Sequence, residues 1–127
     1  MRSSILLSFL VLALISCNYK SAPTIRFDND TLNFGTIVKG DSAVAHFWFK
    51  NAGNSNLQII NVGTTCNCSA VDFPKGVIAS DNKGCITIRY NNSLDSRVGN
   101  VSKTIVVETN CKPSIYVLTL MGSVTNL

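Results

Sequence analysis

The chain has 127 residues, a formal charge of +4 at pH 7, and a composition that is 46% hydrophobic and 14% charged. That length suits one ordinary domain, and the scattered cations form no basic run of the kind a nucleic-acid surface needs. With one histidine, Glu108 as the only glutamate and no Gly-x-Ser-x-Gly elbow, the usual hydrolytic constellations are missing too.

The amino terminus opens Met1-Arg2-Ser3-Ser4, followed by an apolar run from Ile5 to Ile15 broken only by Ser8. Such a run extends about half the depth of a bilayer's hydrocarbon core. A cationic start, a short apolar run and a small residue at its end define a secretory signal rather than a membrane span. Leu14-Ile15-Ser16-Cys17 resembles the cleavage box of bacterial lipoproteins, and that resemblance implies that Cys17 becomes the first mature residue and carries palmitate-like acyl chains. More than one chain is needed for stable anchoring. The reading divides the chain into a signal peptide at 1–16, a lipidated tether at 17–23 and a folded domain at 24–127. Loss of Arg2 with the signal lowers the formal charge from +4 to +3. Asn18, where an inner-membrane retention signal has aspartate, points to the outer membrane. The expected location is the bacterial cell envelope, attached to the membrane through lipid.

The mature sequence lacks a sustained helical period. It is rich in Thr, Val, Ile, Asn and Gly, and its short alternating runs are separated by turn residues, the pattern of an all-β sandwich. The predicted strands are Thr24–Asp28, Thr31–Phe34 leading into Gly35–Val38, Ala43–Lys50, Leu57–Val62, Ser69–Phe73, Cys85–Tyr90, Val101–Glu108 and Ile115–Val124, with a weak run at Val77-Ile78 and a polar loop at Asn91–Asn100. About seven to nine strands, each with one apolar face, predict an Ig-like two-sheet sandwich. Period two puts Ala45, Phe47 and Phe49 on one face of the strongest strand, and Val44, His46, Trp48 and Lys50 on the other. Ile86, Ile88 and Tyr90 face inward, which leaves Cys85, Thr87 and Arg89 outside. Ile105, Val107, Leu118, Leu120 and Gly122 complete the inward set.

The series Phe34-Gly35-Thr36-Ile37, Phe47-Trp48-Phe49-Lys50-Asn51-Ala52-Gly53, Cys66-Asn67-Cys68-Ser69, Ile86-Thr87-Ile88-Arg89-Tyr90 and Leu118-Thr119-Leu120-Met121-Gly122 resembles a family of Ig-like domains of unknown function. That family is abundant in envelope lipoproteins of the Bacteroidetes, and it is distantly similar to major sperm protein-type and cilium-associated sandwiches. The resemblance spans Ile25 to Val124. It implies a sandwich and an envelope location, and brings no enzyme activity with it. The family typically has Cys-Gly-Cys-Thr where this chain has Asn67 and Ser69, and it usually lacks Cys85 and Cys111.

Once Cys17 is set aside, Cys66, Cys68, Cys85 and Cys111 remain. In an oxidising envelope an even set reads first as disulfides. If Cys66 to Cys68 is extended, a direct bond between the two is disfavoured, so the expected pairings join them to Cys85 and Cys111. The alternative is a thiolate site for copper or zinc built on Cys66 and Cys68, with Cys85, Cys111 or His46 as further ligands. A redox role has less support, since no helix follows Cys68 to lower a thiol pKa. Asp28-Asn29-Asp30 reads as an Asx-rich turn rather than a calcium loop. Asp30-Thr31-Leu32 and Asp41-Ser42-Ala43 resemble the O-glycosylation acceptor motif of Bacteroidetes.

Two functions follow. The first is a non-enzymatic interaction or structural module with no cofactor, using either an exposed sheet edge or Trp48, with His46 beside it, to hold a protein partner. For Trp48 the plainer expectation is cover from a neighbouring loop or the lipid surface. The second is a thiol-based metal-binding protein of the envelope.

Overall fold

The computed structural model describes residues 22–127. The signal peptide, Cys17 and most of the tether lie outside the described residues. Eight strands form: β1 Ile25–Phe27, β2 Thr31–Val38, β3 Ser42–Asn51, β4 Ile59–Thr64, β5 Ser69–Asp72, β6 Lys83–Asn91, β7 Gly99–Thr109 and β8 Ile115–Thr125, with one helical turn, α1 Asn92–Asp95, between β6 and β7. They make two four-stranded sheets in the orders β1-β3-β6-β5 and β2-β8-β7-β4. Every pairing is antiparallel except that of β2 with β8, which is parallel.

The inward alternation of the sequence forms the core. Phe47, Phe49, Ile86, Ile88 and Tyr90 from the first sheet meet Ile105, Val107, Leu118, Leu120 and Val124 from the second, all nearly inaccessible to solvent. Each such side chain contributes about 1.5–3 kcal/mol on burial. Most predicted strand boundaries shift by one or two residues. The weak run at Val77-Ile78 is no strand but a two-way bridge, with Leu57 N–H donating to Ile78 C=O at 2.9 Å and the reverse bond at 2.8 Å, so β4 starts at Ile59.

Several of the short motifs are backbone devices. In Asn33-Phe34-Gly35-Thr36 the β2–β8 register shifts between Asn33 and Thr36. Gly35 sits at φ 82°, and its N–H donates to Asn33 Oδ1 at 2.7 Å, so a bulge bends the strand where only glycine is comfortable. The bend sends Phe34 inward to stack on Tyr90 at 5.5 Å between ring centroids. Gly122 leaves the slot for that ring, because a Cβ there would collide with Phe34. In Asn51-Ala52-Gly53, the fully buried Asn51 donates from Nδ2 to Ser55 C=O at 2.7 Å and Ile78 C=O at 3.0 Å, and its Oδ1 accepts from Gly53 N–H at 3.1 Å. The amide side chain thereby ties the loop after β3 to the segment that leads into the neighbouring strand β6.

The predicted polar loop at 91–100 holds a structured corner. Asn91 Oδ1 caps α1 by accepting from Ser93 N–H at 3.0 Å. Asn92 is fully buried; it donates to Tyr90 Oη at 3.1 Å and Arg97 C=O at 2.9 Å, and accepts from Gly40 N–H at 2.8 Å. Four residues carry no helical period. The long-range part of its support comes from Gly40 and Asp41 in the β2–β3 turn, so the local sequence reads as coil.

Candidate functional site

The Cys66-Asn67-Cys68 motif occupies the crossover from β4 in one sheet to β5 in the other. Cys66 and Cys68 are joined to each other by a disulfide, with Cα atoms 5.3 Å apart. The expected pairings with Cys85 and Cys111 are not formed, and both of those thiols are free. In extended chain, residues two apart lie about 6.6 Å from one another. Instead β4 stops at Thr64 and the chain turns. Thr64 Oγ1 donates to Cys66 C=O at 2.8 Å, and Cys68 N–H points at Cys66 Sγ at 3.3 Å. With the sulfurs bonded to each other, Cys66 and Cys68 do not supply the thiolates of a copper or zinc site. Cys111 is 3% exposed, with its N–H bonded to Thr109 Oγ1 at 3.1 Å; it packs as part of the core.

The side chains that come together lie on the outer face of the β1-β3-β6-β5 sheet. Trp48 is 51% exposed and lies directly opposite Cys85. About half of its surface is open to solvent. One step along, His46 is opposite Thr87, and Thr87 is opposite Asp72 of β5. The next row carries Val44 and Arg89, and at the other end Arg26, Lys50 and Lys83 form a row across β1, β3 and β6. The face is therefore an aromatic and thiol centre flanked by Arg26, Lys50, Lys83 and Arg89, with Asp28 and Asp72 as its carboxylates. Lys50 also reaches Asp81 at 3.6 Å, both side chains being well exposed; such a pair contributes little and leaves the lysine available. His46 Nδ1 lies 3.1 Å from Thr87 Oγ1 and 3.8 Å from Cys85 Sγ. His46 thus belongs with Cys85, not with the Cys66-Asn67-Cys68 turn.

The sheet edges also differ from one another. The β2–β8 pairing begins at Thr31 with Thr119, where Thr119 N–H donates to Asp30 C=O at 2.8 Å. The first part of β8, Ile115 to Leu118, pairs with β7 but with no strand on its other side. By the two-residue alternation, Ile115 and Val117 aim their backbone groups at this open side. Their side chains are 48% and 56% exposed. A groove of about 530 Å³ runs here, between the stretch Ile25–Asp30 and Tyr116–Leu118. A second depression of about 490 Å³ lies over the β2 bulge, lined by small polar residues with Met121. That β8 has an open half depends on a pairing register that no local pattern encodes.

The most perturbed ionisable groups serve the fold. Burial alone would raise the Asp95 carboxyl. Tyr90 Oη donating at 2.7 Å and the buried Lys103 ammonium at 3.1 Å outweigh it, aided by Arg97, and hold the carboxyl below its ordinary value. Burial raises Tyr90, reinforced by the Asp95 charge and opposed by the hydrogen bond from Asn92. The group closes one end of the core and opens onto neither groove. Among the described residues no three His, Cys, Asp or Glu side chains converge on a metal-sized space.

The fold and this surface define a two-sheet Ig-like sandwich of the MSP and PapD kind. The chain belongs to the family described as Protein of unknown function (DUF1573), whose profile matches residues 25–124. No curated protein matches it. A protein of unknown function from Porphyromonas gingivalis W83 superposes with a TM-score of 0.71 at 12% identity, over 80% of this chain and 46% of that one. This chain thus spans about half the length of that relative. The ASH / PapD-like domain of human CEP192 gives 0.67 at 12% identity, over 84% of this chain and 88% of that one. WR4, an MSP family member of C. elegans, gives 0.54 at 13% identity, over 80% and 97%. Likeness at this identity establishes the fold.

Proposed function

We propose that this protein is a lipid-anchored, non-enzymatic interaction module of the bacterial cell envelope, which holds an acidic protein partner on the outer face of the β1-β3-β6-β5 sheet. The observation that carries the reading is Trp48, 51% exposed at the centre of that face with Arg26, Lys50, Lys83 and Arg89 around it. A tryptophan in such a position anchors an interface with about 2 kcal/mol or more, while the cations speed encounter with an acidic surface and set orientation. The leader and the Leu14-Ile15-Ser16-Cys17 box support the anchor and the envelope location.

A photo-crosslinking residue at Val44, on the same face, tests this in intact membranes. The expected result is one specific adduct that Trp48→Ala abolishes and that forms more slowly at low salt in the pair Lys50→Glu with Lys83→Glu. An adduct unchanged by these substitutions would remove the docking claim. Intact mass of the membrane-extracted protein, with and without alkylation, tests the anchor: an unacylated Cys17 removes it.

The open side of β8 favours a second mode, in which a partner adds a strand along Ile115 to Leu118. Val117→Pro removes a backbone donor that faces away from β7. It should abolish such binding and leave the fold intact; binding that persists in the variant sinks this mode.

A further inference from the structure

Neither the family resemblance nor the Cys66-Asn67-Cys68 motif points to the donor set formed by Cys85, His46 and Thr87. Cys85 Sγ lies 3.8 Å from His46 Nδ1 and 3.8 Å from Thr87 Oγ1, and the nitrogen and oxygen are 3.1 Å apart. Three donor atoms of different softness thus form a small triangle on the outer face of the sheet. Strand register fixes it: His46 is opposite Thr87, and Cys85 precedes Thr87 by two on the same face. Taking metal–sulfur and metal–nitrogen distances of about 2.3 and 2.05 Å, a 3.8 Å span corresponds to a ligand–metal–ligand angle of about 120°. The two side chains therefore reach a shared metal ion with little rearrangement.

The number of donors selects the metal. A structural zinc site closes with four strong protein ligands, and among the described residues not even three His, Cys, Asp or Glu side chains converge. A soft monovalent ion is satisfied by a thiolate and an imidazole, with solvent or a third donor completing the shell. Thiolate softness selects cuprous copper over harder ions. The surrounding Arg26, Lys50, Lys83 and Arg89 oppose a bare cation. A cuprous thiolate is neutral as a unit, so their field disfavours it far less than it would a zinc dication.

We propose that Cys85 and His46 form a surface site for cuprous copper, with Thr87 as a positioning residue. On binding, the Cys85 S–H bond breaks and its proton passes to solvent, an S–Cu bond forms, and His46 Nδ1 exchanges its contact with Thr87 for the metal. The Thr87 hydroxyl is then free to donate to the coordinated sulfur. Copper enters and leaves as Cu(I), so no electron is transferred. The site is distinct from the disulfide, and it stands whether or not a protein partner docks at Trp48.

The test is an anaerobic titration of the membrane-extracted full protein against the chromophoric cuprous bicinchoninate complex, with ascorbate present and no thiol reductant, so that the disulfide stays closed. Trp48 is the sole tryptophan and lies opposite Cys85, so its fluorescence reports copper bound beside it. The wild type is expected to withdraw one equivalent of copper and to quench Trp48. Cys85→Ser and His46→Phe should each weaken binding at least tenfold and abolish the quenching, with circular dichroism unchanged. Thr87→Val should weaken binding less and shift its pH profile. The double variant Cys66→Ala, Cys68→Ala should bind as the wild type does. No copper withdrawn by the wild type, binding that survives Cys85→Ser, or binding lost with Cys66 and Cys68 each overturns the site. So does tighter binding of zinc than of copper. Copper is titrated with no partner present and the Trp48 adduct is read with no copper added, so failure of the copper site and failure of partner docking are separately visible.

Discussion

The two outer faces of this sandwich rest on the same kind of core and have opposite chemistry. The β1-β3-β6-β5 sheet presents Trp48, His46, Cys85 and a set of Arg and Lys side chains. The β2-β8-β7-β4 sheet presents Ser102 opposite Met121, Thr104 opposite Thr119 and Val106 opposite Val117, with Glu108 near one end. That second face is nearly uncharged, a hydroxyl-rich surface with scattered aliphatics of a kind ordinary on soluble domains. Inward residues are constrained by packing and look alike in both sheets. Outward residues are free to differ, and the cluster of tryptophan, thiol, imidazole and cations on one side is where the proposed docking and copper sites fall.

The largest expected effect lies in the frame the two faces share. Lys103 is 6% exposed and reaches from β7 to Asp95 at the β6–β7 corner. Lys103→Met leaves the carboxylate without its buried partner, and should cost about 3–5 kcal/mol in urea unfolding. Both sheets should melt together; a variant in which one sheet melts first would break the premise that they form one unit. The same pair gives a pH dependence. The folded Asp95 carboxyl lies below its unfolded value, so its contribution is complete above the ordinary aspartate range of about 3.9. It is lost as pH falls through that value towards the lowered folded one. Asp95→Asn should flatten this acid limb of the stability curve.

The next effect separates the faces directly. Trp48→Ala should weaken partner binding about 30-fold, corresponding to about 2 kcal/mol, with stability changed by less than about 0.5 kcal/mol. Val117→Ala, equally exposed on the other sheet, should leave binding to the Trp48 face unchanged. Equal losses from both would erase the distinction. Gly122→Ala pushes a methyl into the Phe34 ring and should cost about 1–3 kcal/mol of stability, measurable by thermal melting, without altering the Trp48 face. The smallest effect is kinetic: Lys50→Glu with Lys83→Glu should slow association about tenfold at low salt, and the difference should shrink as ionic strength rises.

Much of this could be read in advance. Phe47, Phe49, Ile86, Ile88 and Tyr90 announced their direction by period two, because a strand with one buried face must alternate. The same rule placed Cys85, His46 and Trp48 outside. It did not show that Cys85 and His46 meet, since strand neighbours are set by pairing register rather than by sequence distance. The Cys66–Cys68 bond is hidden from the sequence for a related reason: whether Cys66 to Cys68 extends or turns is decided by where the chain after β4 leaves one sheet for the other.

The sequence by itself determined the class of fold, the inward and outward sets and the motifs that need glycine or asparagine, since these depend on local sterics and on alternation along one strand. Only the tertiary structure decided what touches what. The Cys66–Cys68 bond, the Lys103–Asp95–Tyr90 closure, the open half of β8 and the Cys85–His46–Thr87 triangle each join residues whose approach is fixed by packing two sheets together, a long-range outcome that no short window of sequence records.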